Sequence, residues 1–358
     1  MTIEKNSYLK NYKNRKVLVT GSTGFKGSWL SFLLNKIGAK VIGVGLKPEK
    51  DFVLYEKLAL KKKITQYFAN IEDYKKINNI IKKEKPDIIF HLAAQSIVSE
   101  SFVDPLKTIS TNVMGSANVL ESVKKNKIKA LVYITSDKCY LNKGSKRSYK
   151  ENDFLGGFDN YSSSKASAEI LFHSYYDSFF KHSKNISAGT ARAGNVIGGG
   201  DFKSNRIIPD FFRAVSMNKK LVIRNPKATR PWQHVLEPLS GYLKLGSLLL
   251  NKKINKNVYP SWNFGPHKVN CKEVLKIIIL FYNYLSKNKK IKILKEKKIK
   301  EANFLSLNIS KSIKELNWRP KLTLNECVKF TADWYTGYYS KRNVEDLTNQ
   351  QIESYFNK

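Results

Sequence analysis

Short apolar runs recur along the first half of the chain, each followed by a longer amphipathic stretch. The runs predict strands at Lys16–Gly21, Lys40–Gly45, Ile64–Ala69, Asp87–His91, Ala130–Thr135 and Ile186–Ala191. The intervening stretches predict helices at Gly24–Ile37, Asp73–Lys83, Leu106–Lys125 and Asn160–Phe180. Strands without polar alternation, such as Val17-Leu-Val19, suit a sheet covered on both faces. The βαβα rhythm therefore predicts an α/β fold with a doubly wound parallel sheet.

From about Gly194 the rhythm breaks. Helical patterns fall at Asn205–Val215, Leu236–Leu250, Cys271–Leu285, Lys311–Leu316 and Leu324–Tyr335, with strands at Leu221–Arg224 and Ser261–Gly265. The expected division is a leader (1–14), a Rossmann-type dinucleotide-binding domain (15–193), a mainly substrate-binding lobe (194–340) and a C-terminal tail (341–358).

Length and charge narrow the function. At 358 residues the chain can bury a full core. Its formal charge is +35, yet only nine of its 64 basic residues are Arg. The lysines lie in scattered runs, such as Lys61–Lys63 and Lys82–Lys85, without interleaved aromatics. That is unlike a nucleic-acid surface, so no nucleic-acid partner is expected. A positive field would still draw an anionic substrate. The polar start Met1–Lys16 is unlike a signal peptide, and the longest apolar stretch is too short for a bilayer. Cys139, Cys271 and Cys327 have no metal-site spacing and read as free thiols of a cytoplasmic protein, and no metal is expected.

Gly21-Ser-Thr-Gly24-Phe-Lys-Gly27 closes the first strand and opens the first helix. In that context the glycines allow a tight turn and close approach of backbone to a pyrophosphate, helped by the helix N-terminus. No acid closes the second strand before Glu49, which leaves NAD and NADP open on this rule. His91-Leu-Ala-Ala-Gln95 ends the fourth strand, where ligands gather in such sheets, with His91 itself read as structural. Asn112, on the next helix, is placed to tie a strand down.

The chemistry centres on Tyr161-Ser-Ser-Ser-Lys165 and on Ser136-Asp137-Lys138. Tyr161 and Lys165 are four apart on a helix and share a face. A cation beside the phenol should lower its pKa, making Tyr161 a base for a sugar hydroxyl. Ser136 can hydrogen-bond that hydroxyl. Asp137 and Lys138 add an acid and a base beyond what alcohol oxidation needs. A lysine amine titrates near 10.4 when unperturbed, and burial near other cations favours its neutral form. Arg192, Arg206 and Arg230 are expected to clamp a diphosphate, with Trp232 beside Arg230 suited to stacking.

On these strings, and on Ala191–Asp201, Arg230–Pro238 and Asn263–Pro266, the chain resembles the extended short-chain dehydrogenase/reductase family, in particular its NAD-dependent nucleotide-sugar 4,6-dehydratases, from about residue 15 to 340. The resemblance implies NAD held by Gly21, Thr23, Gly24, Phe25, Lys26, Gly27, Asn70, Ile71, Leu92, Ala93, Ala94, Gln95, Asn112, Tyr161 and Lys165. It implies a nucleotide sugar, CDP-glucose, held by Ser96, Asn195, Arg206, Arg224, Arg230 and His234, and a homo-oligomer. Tyr161 is then the oxidation base, Lys165 its partner, Ser136 the orienting hydroxyl, Asp137 the acid and Lys138 the carbon 5 base. Lys at 138, where dTDP-sugar dehydratases tend to carry Glu, favours the CDP branch. Asn70 and Asn308 stand where the family commonly has Asp. Another nucleotide-sugar 4,6-dehydratase or a 4-epimerase of the same family is the alternative.

Overall fold

The computed structural model describes residues 6–48, 53–144, 147–294 and 304–358. Glu49 and residues 1–5 of the expected leader lie outside them. Seven parallel strands form the central sheet. They are β1 (Lys16–Thr20), β2 (Lys40–Gly45), β3 (Thr65–Phe68), β4 (Ile88–His91), β5 (Ala130–Ile134), β6 (Ser187–Ala193) and β7 (Ser261–Phe264). The spatial order is β7-β6-β5-β4-β1-β2-β3. The order reverses beside β1, so its carboxyl end meets that of β4 at the crevice where such sheets bind ligands.

Alternate residues of each strand serve opposite faces. Val17, Val19, Phe90 and Val132 pack with helices α1 (Phe25–Lys36) and, from the second half, α6 (Leu236–Leu250). Leu18, Ile89, Leu131 and Tyr133 pack with α2 (Tyr74–Glu84), α3 (Gly115–Lys125) and α4 (Asn160–Tyr175). Both faces of the central strands β1, β2, β4 and β5 are dry, which is why these strands carry unbroken apolar runs.

The remaining long helices are α5 (Ile207–Ser216), α7 (Val274–Tyr284), α8 (Leu324–Tyr339) and α9 (Val344–Phe356). Four expectations are corrected here. Leu9 and Tyr12 of the expected leader are buried, and the Tyr12 hydroxyl donates to the Leu243 carbonyl at 2.6 Å. The expected tail is α9, whose Tyr355 hydroxyl donates to buried Glu237 at 2.7 Å. Residues 236–264 return to the sheet as α6 and β7, so the lobes interleave. Cys271–Glu273 is a strand paired with Thr229–Pro231, and α7 starts only at Val274.

Candidate active site at the carboxyl edge of the sheet

The glycine turn sits as expected after β1. Gly21 has φ +72°, and a β-carbon there would come 2.9 Å from the Ala93 nitrogen. A β-carbon on Gly27 would lie 1.9 Å from the Gly21 carbonyl, so Gly27 is the tightest of the three. Gly24 is open by comparison and leads into α1 as its N-cap. Backbone amides at the start of a 12-residue helix, with small residues at Ala93 and Ala94 opposite, form a cradle that fits a dinucleotide pyrophosphate. Beyond β3, Asn70 accepts from the Glu72 amide at 3.1 Å and donates to its carboxylate. Burial would raise the Glu72 pKa, but Lys107, Ser110, Thr111 and Asn70 hold it down to about 2. Ile71 is buried, and Lys47 is exposed past the end of β2.

Asn112 makes a tie between strand loop and helix. Its side chain accepts from the Gln95 amide at 2.8 Å and donates to the Gln95 carbonyl and to Ser164 of α4. A π-helical turn, Ser110–Met114, turns it to face both. His91 is structural: Thr20 and Ser116 bond its two ring nitrogens, and burial followed by the Lys165 charge pushes its pKa down to about 3.

Tyr161 and Lys165 lie in the first two turns of α4, both buried. Asp159 caps that helix, accepting from the Ser162 amide at 2.8 Å, and so fixes the angle at which Tyr161 enters the site. The Lys165 ammonium is 6.0 Å from the Tyr161 ring centre. The expected lowering of the phenol pKa is not what the protein alone produces. Burial, then the Asp137 charge, pushes it up to about 12 against a hydrogen bond from Ser136. Lys165 is itself pushed down to about 8 by burial and by Lys26, which weakens its field.

Ser136 lies two residues past β5 and caps a short 3-10 turn, Asp137–Cys139. Its hydroxyl donates to Asp137 Oδ1 at 3.0 Å and accepts from the Lys138 amide at 3.3 Å. Asp137 is buried, and its other oxygen has no hydrogen-bond partner among the described residues. Burial raises its pKa, opposed by Lys138, Ser136, Arg230 and Lys26. A raised pKa suits a carboxyl that has to give up a proton. Lys138 is half-buried beside it.

Lys26 lies closer to the chemistry than its place in the glycine turn suggests. Its ammonium is 5.9 Å from the Tyr242 ring centre on α6. Burial and then Arg206 push it down to about 8, against the pull of Asp137. Arg206 bridges Asp201 at 3.0 Å and Ser96 at 2.7 Å, so it closes over the site from the start of α5. Arg230 is buried on the Asp137 side. Asn195 is half-buried between β6 and the short strand Val196–Ile197. Arg224 is exposed and donates to the Asn205 carbonyl at 3.0 Å.

Three expectations fail on burial. Arg192 has no exposed side-chain surface and pairs with Glu169 at 2.8 Å, so it cannot reach a diphosphate. Trp232 is in the core, donating to the Lys272 carbonyl at 2.8 Å, and cannot stack on a ligand. His234 is also enclosed, edge-on to Trp29 and Phe330, and burial pushes its pKa down to about 3. Scarcity of Arg misled for Arg192, proximity to Arg230 for Trp232, and the resemblance for His234. Gly194 was missed: a β-carbon there would lie 2.9 Å from Asp137 Oδ2 and 2.6 Å from Pro231. Gly194→Ala should bind NAD normally yet lose at least about tenfold in turnover, because it displaces the acid. NAD titration and product formation on one preparation check this; unchanged turnover would mean the Asp137 position tolerates movement.

The sequence profile of the GDP-mannose 4,6 dehydratase family matches residues 18–331. A CDP-glucose 4,6-dehydratase from Salmonella typhimurium is 38% identical over 352 residues, spanning 97% of this chain and 98% of that protein. Among solved structures, an epimerase from Methanothermobacter thermautotrophicus matches with a TM-score of 0.80 at 23% identity, covering 94% of this chain and 96% of that one. A dTDP-glucose 4,6-dehydratase from Bacillus anthracis, in complex with NAD, matches with a TM-score of 0.76 at 23% identity, covering 92% and 98%. With the Gly21–Gly27 turn and the Ser136 and Tyr161 clusters at one sheet edge, the chain belongs to the nucleotide-sugar 4,6-dehydratase family of that profile.

Proposed function

We propose that this protein is an NAD-dependent dehydratase that converts CDP-glucose to CDP-4-keto-6-deoxyglucose. The observation that carries the reading is Asp137: a buried carboxyl whose pKa is raised, beside Tyr161, Lys138 and Ser136. An epimerase needs no such acid. The full-length likeness to the Salmonella enzyme supports the nucleotide.

The Gly21–Gly27 turn, Ala93, Ala94 and Lys165 would hold NAD. Bound NAD would supply a reversible hydride acceptor beside the sugar and, when oxidised, a positive ring charge. Tyr161 takes the proton of the carbon 4 hydroxyl, which Ser136 orients. Lys138 takes the carbon 5 proton, made acidic by the new ketone, and gives one back to carbon 5 when carbon 6 has gained its hydride. Asp137 protonates the hydroxyl leaving carbon 6. Arg206 and Arg230 bind the diphosphate, with Ser96 and Asn195 alongside.

The protein is read as a cytoplasmic homo-oligomer. No helix among the described residues is long and apolar enough to cross a membrane. Leu106, Met114 and Ile170, on neighbouring helices, leave an exposed apolar face that suits a second copy.

The test is incubation with CDP-, dTDP-, UDP- and GDP-hexoses, followed by assay of the 4-keto-6-deoxy chromophore in base. CDP-glucose should be preferred. Preference for dTDP-glucose would overturn the nucleotide and leave the chemistry, whereas product with none of them would overturn dehydration.

A further inference from the structure

Resting on the dehydratase reading, we infer that Glu169 and Arg192 are positioning residues that clamp the Ser136–Asp137–Lys138 segment to the helix carrying Tyr161 and Lys165. Glu169 lies on α4 one turn beyond Lys165 and two beyond Tyr161, on the same face. It is fully buried. One of its oxygens accepts from the hydroxyl of Thr135, the residue just before Ser136. The other accepts from Thr190 at 3.1 Å and from Arg192 at 2.8 Å.

Arg192, on β6, carries the link onward. Its second fork donates to the Tyr140 hydroxyl at 2.9 Å and the Glu151 carbonyl at 2.7 Å. Tyr140 donates in turn to Asn263 of β7 at 2.7 Å. Thr135 and Tyr140 bracket the Ser-Asp-Lys segment, so one ion pair holds it at both ends. The acid of that pair rides on the Tyr161 helix. Burial alone would raise Glu169, but Arg192 and His173 hold it well below the usual carboxylate range, so the pair stays charged.

A pair this deep gives up hydration on both sides, so its presence argues little for stability. Its rigid fork does fix two directions at once, which an apolar pair of equal volume would not. Small displacements of acid and base groups carry large rate losses.

Tyr140→Phe tests the clamp with the ion pair left in place. The holoprotein, mixed with CDP-glucose, should form bound NADH close to the wild-type rate. It should then release ketosugar at least about tenfold more slowly, so NADH persists. Arg192→Lys should show the same split, because a lysine cannot fork. A second measurement needs no substrate. Cys139 is buried between Lys138 and Tyr140. With Cys271→Ser and Cys327→Ser as background, Tyr140→Phe should speed thiol labelling of Cys139 at a temperature where the variant stays folded, by more than its loss of Tm accounts for. Failure of wild-type protein to reduce NAD with any nucleotide sugar would sink the dehydratase reading, while the labelling still tests the clamp. Equal loss in both half-reactions, an unchanged partition, or unchanged labelling would overturn the inference.

Discussion

Tyr161→Phe is expected to fold, to bind NAD, and to form no bound NADH when CDP-glucose is added. The substitution removes one hydroxyl from a buried ring and leaves the Asp159 cap and the helix untouched. Without the phenol no placed group takes the carbon 4 proton, so the oxidation should slow by about a hundred- to ten-thousand-fold. The pH dependence sharpens the expectation. A base acts only when deprotonated, so oxidation rises with pH until the phenol is ionised and is flat above. In the protein alone, burial and then the Asp137 charge place the phenol at about 12. The positive ring charge that oxidised cofactor would add favours the phenolate, so the rising limb in the holoprotein should lie below 12. Lys165→Met should move that limb to higher pH. Rapid-mixing absorbance of bound NADH across pH 6 to 9 measures both effects. A Tyr161→Phe protein that reduces NAD at the wild-type rate would remove Tyr161 from the chemistry.

What sequence made legible was local. The Gly21–Gly27 turn and the Ser136–Lys138 cluster are contiguous and follow strands that apolar runs already mark, and the Tyr161–Lys165 pair is contiguous at helical spacing within one helix. The parallel sheet followed from those runs because both faces are covered. What escaped was set by tertiary packing. Arg192 reads like a ligand donor, and only the packing of β6 against α4 shows that Glu169 takes its charge. Trp232 and His234 look like a binding motif, but α6, α8 and α1 close around them. Glu169 had a signal: it repeats the Tyr161 and Lys165 face at the next turn, a lone acid among small and apolar residues. The β7 strand is assigned to the second lobe on sequence because periodicity gives an element's type, not its docking partner, and α9 reads only as a tail.

Lys138→Ala should separate the two halves of the reaction. Oxidation at carbon 4 needs Tyr161, Lys165 and Ser136, none of which loses its place when the Lys138 side chain goes. The backbone amide of residue 138 still donates to Ser136, so the turn should hold. The variant should therefore form bound NADH and accumulate the 4-keto hexose, with dehydration slowed by about a hundred- to ten-thousand-fold. Asp137→Asn should stall at the same intermediate for a different reason. The buried carboxyl keeps its proton to a higher pH than usual and gives it to the leaving hydroxyl, whereas an amide has none to give. Heavy water tells the two apart. With Asp137→Asn, Lys138 still removes the carbon 5 proton, so deuterium should enter carbon 5 of the stalled ketosugar. With Lys138→Ala it should not. Mass spectrometry and proton NMR of the trapped sugar read the difference. Dehydration by Lys138→Ala at the wild-type rate, or deuterium at carbon 5 in its stalled sugar, would reduce Lys138 to a charge that positions substrate.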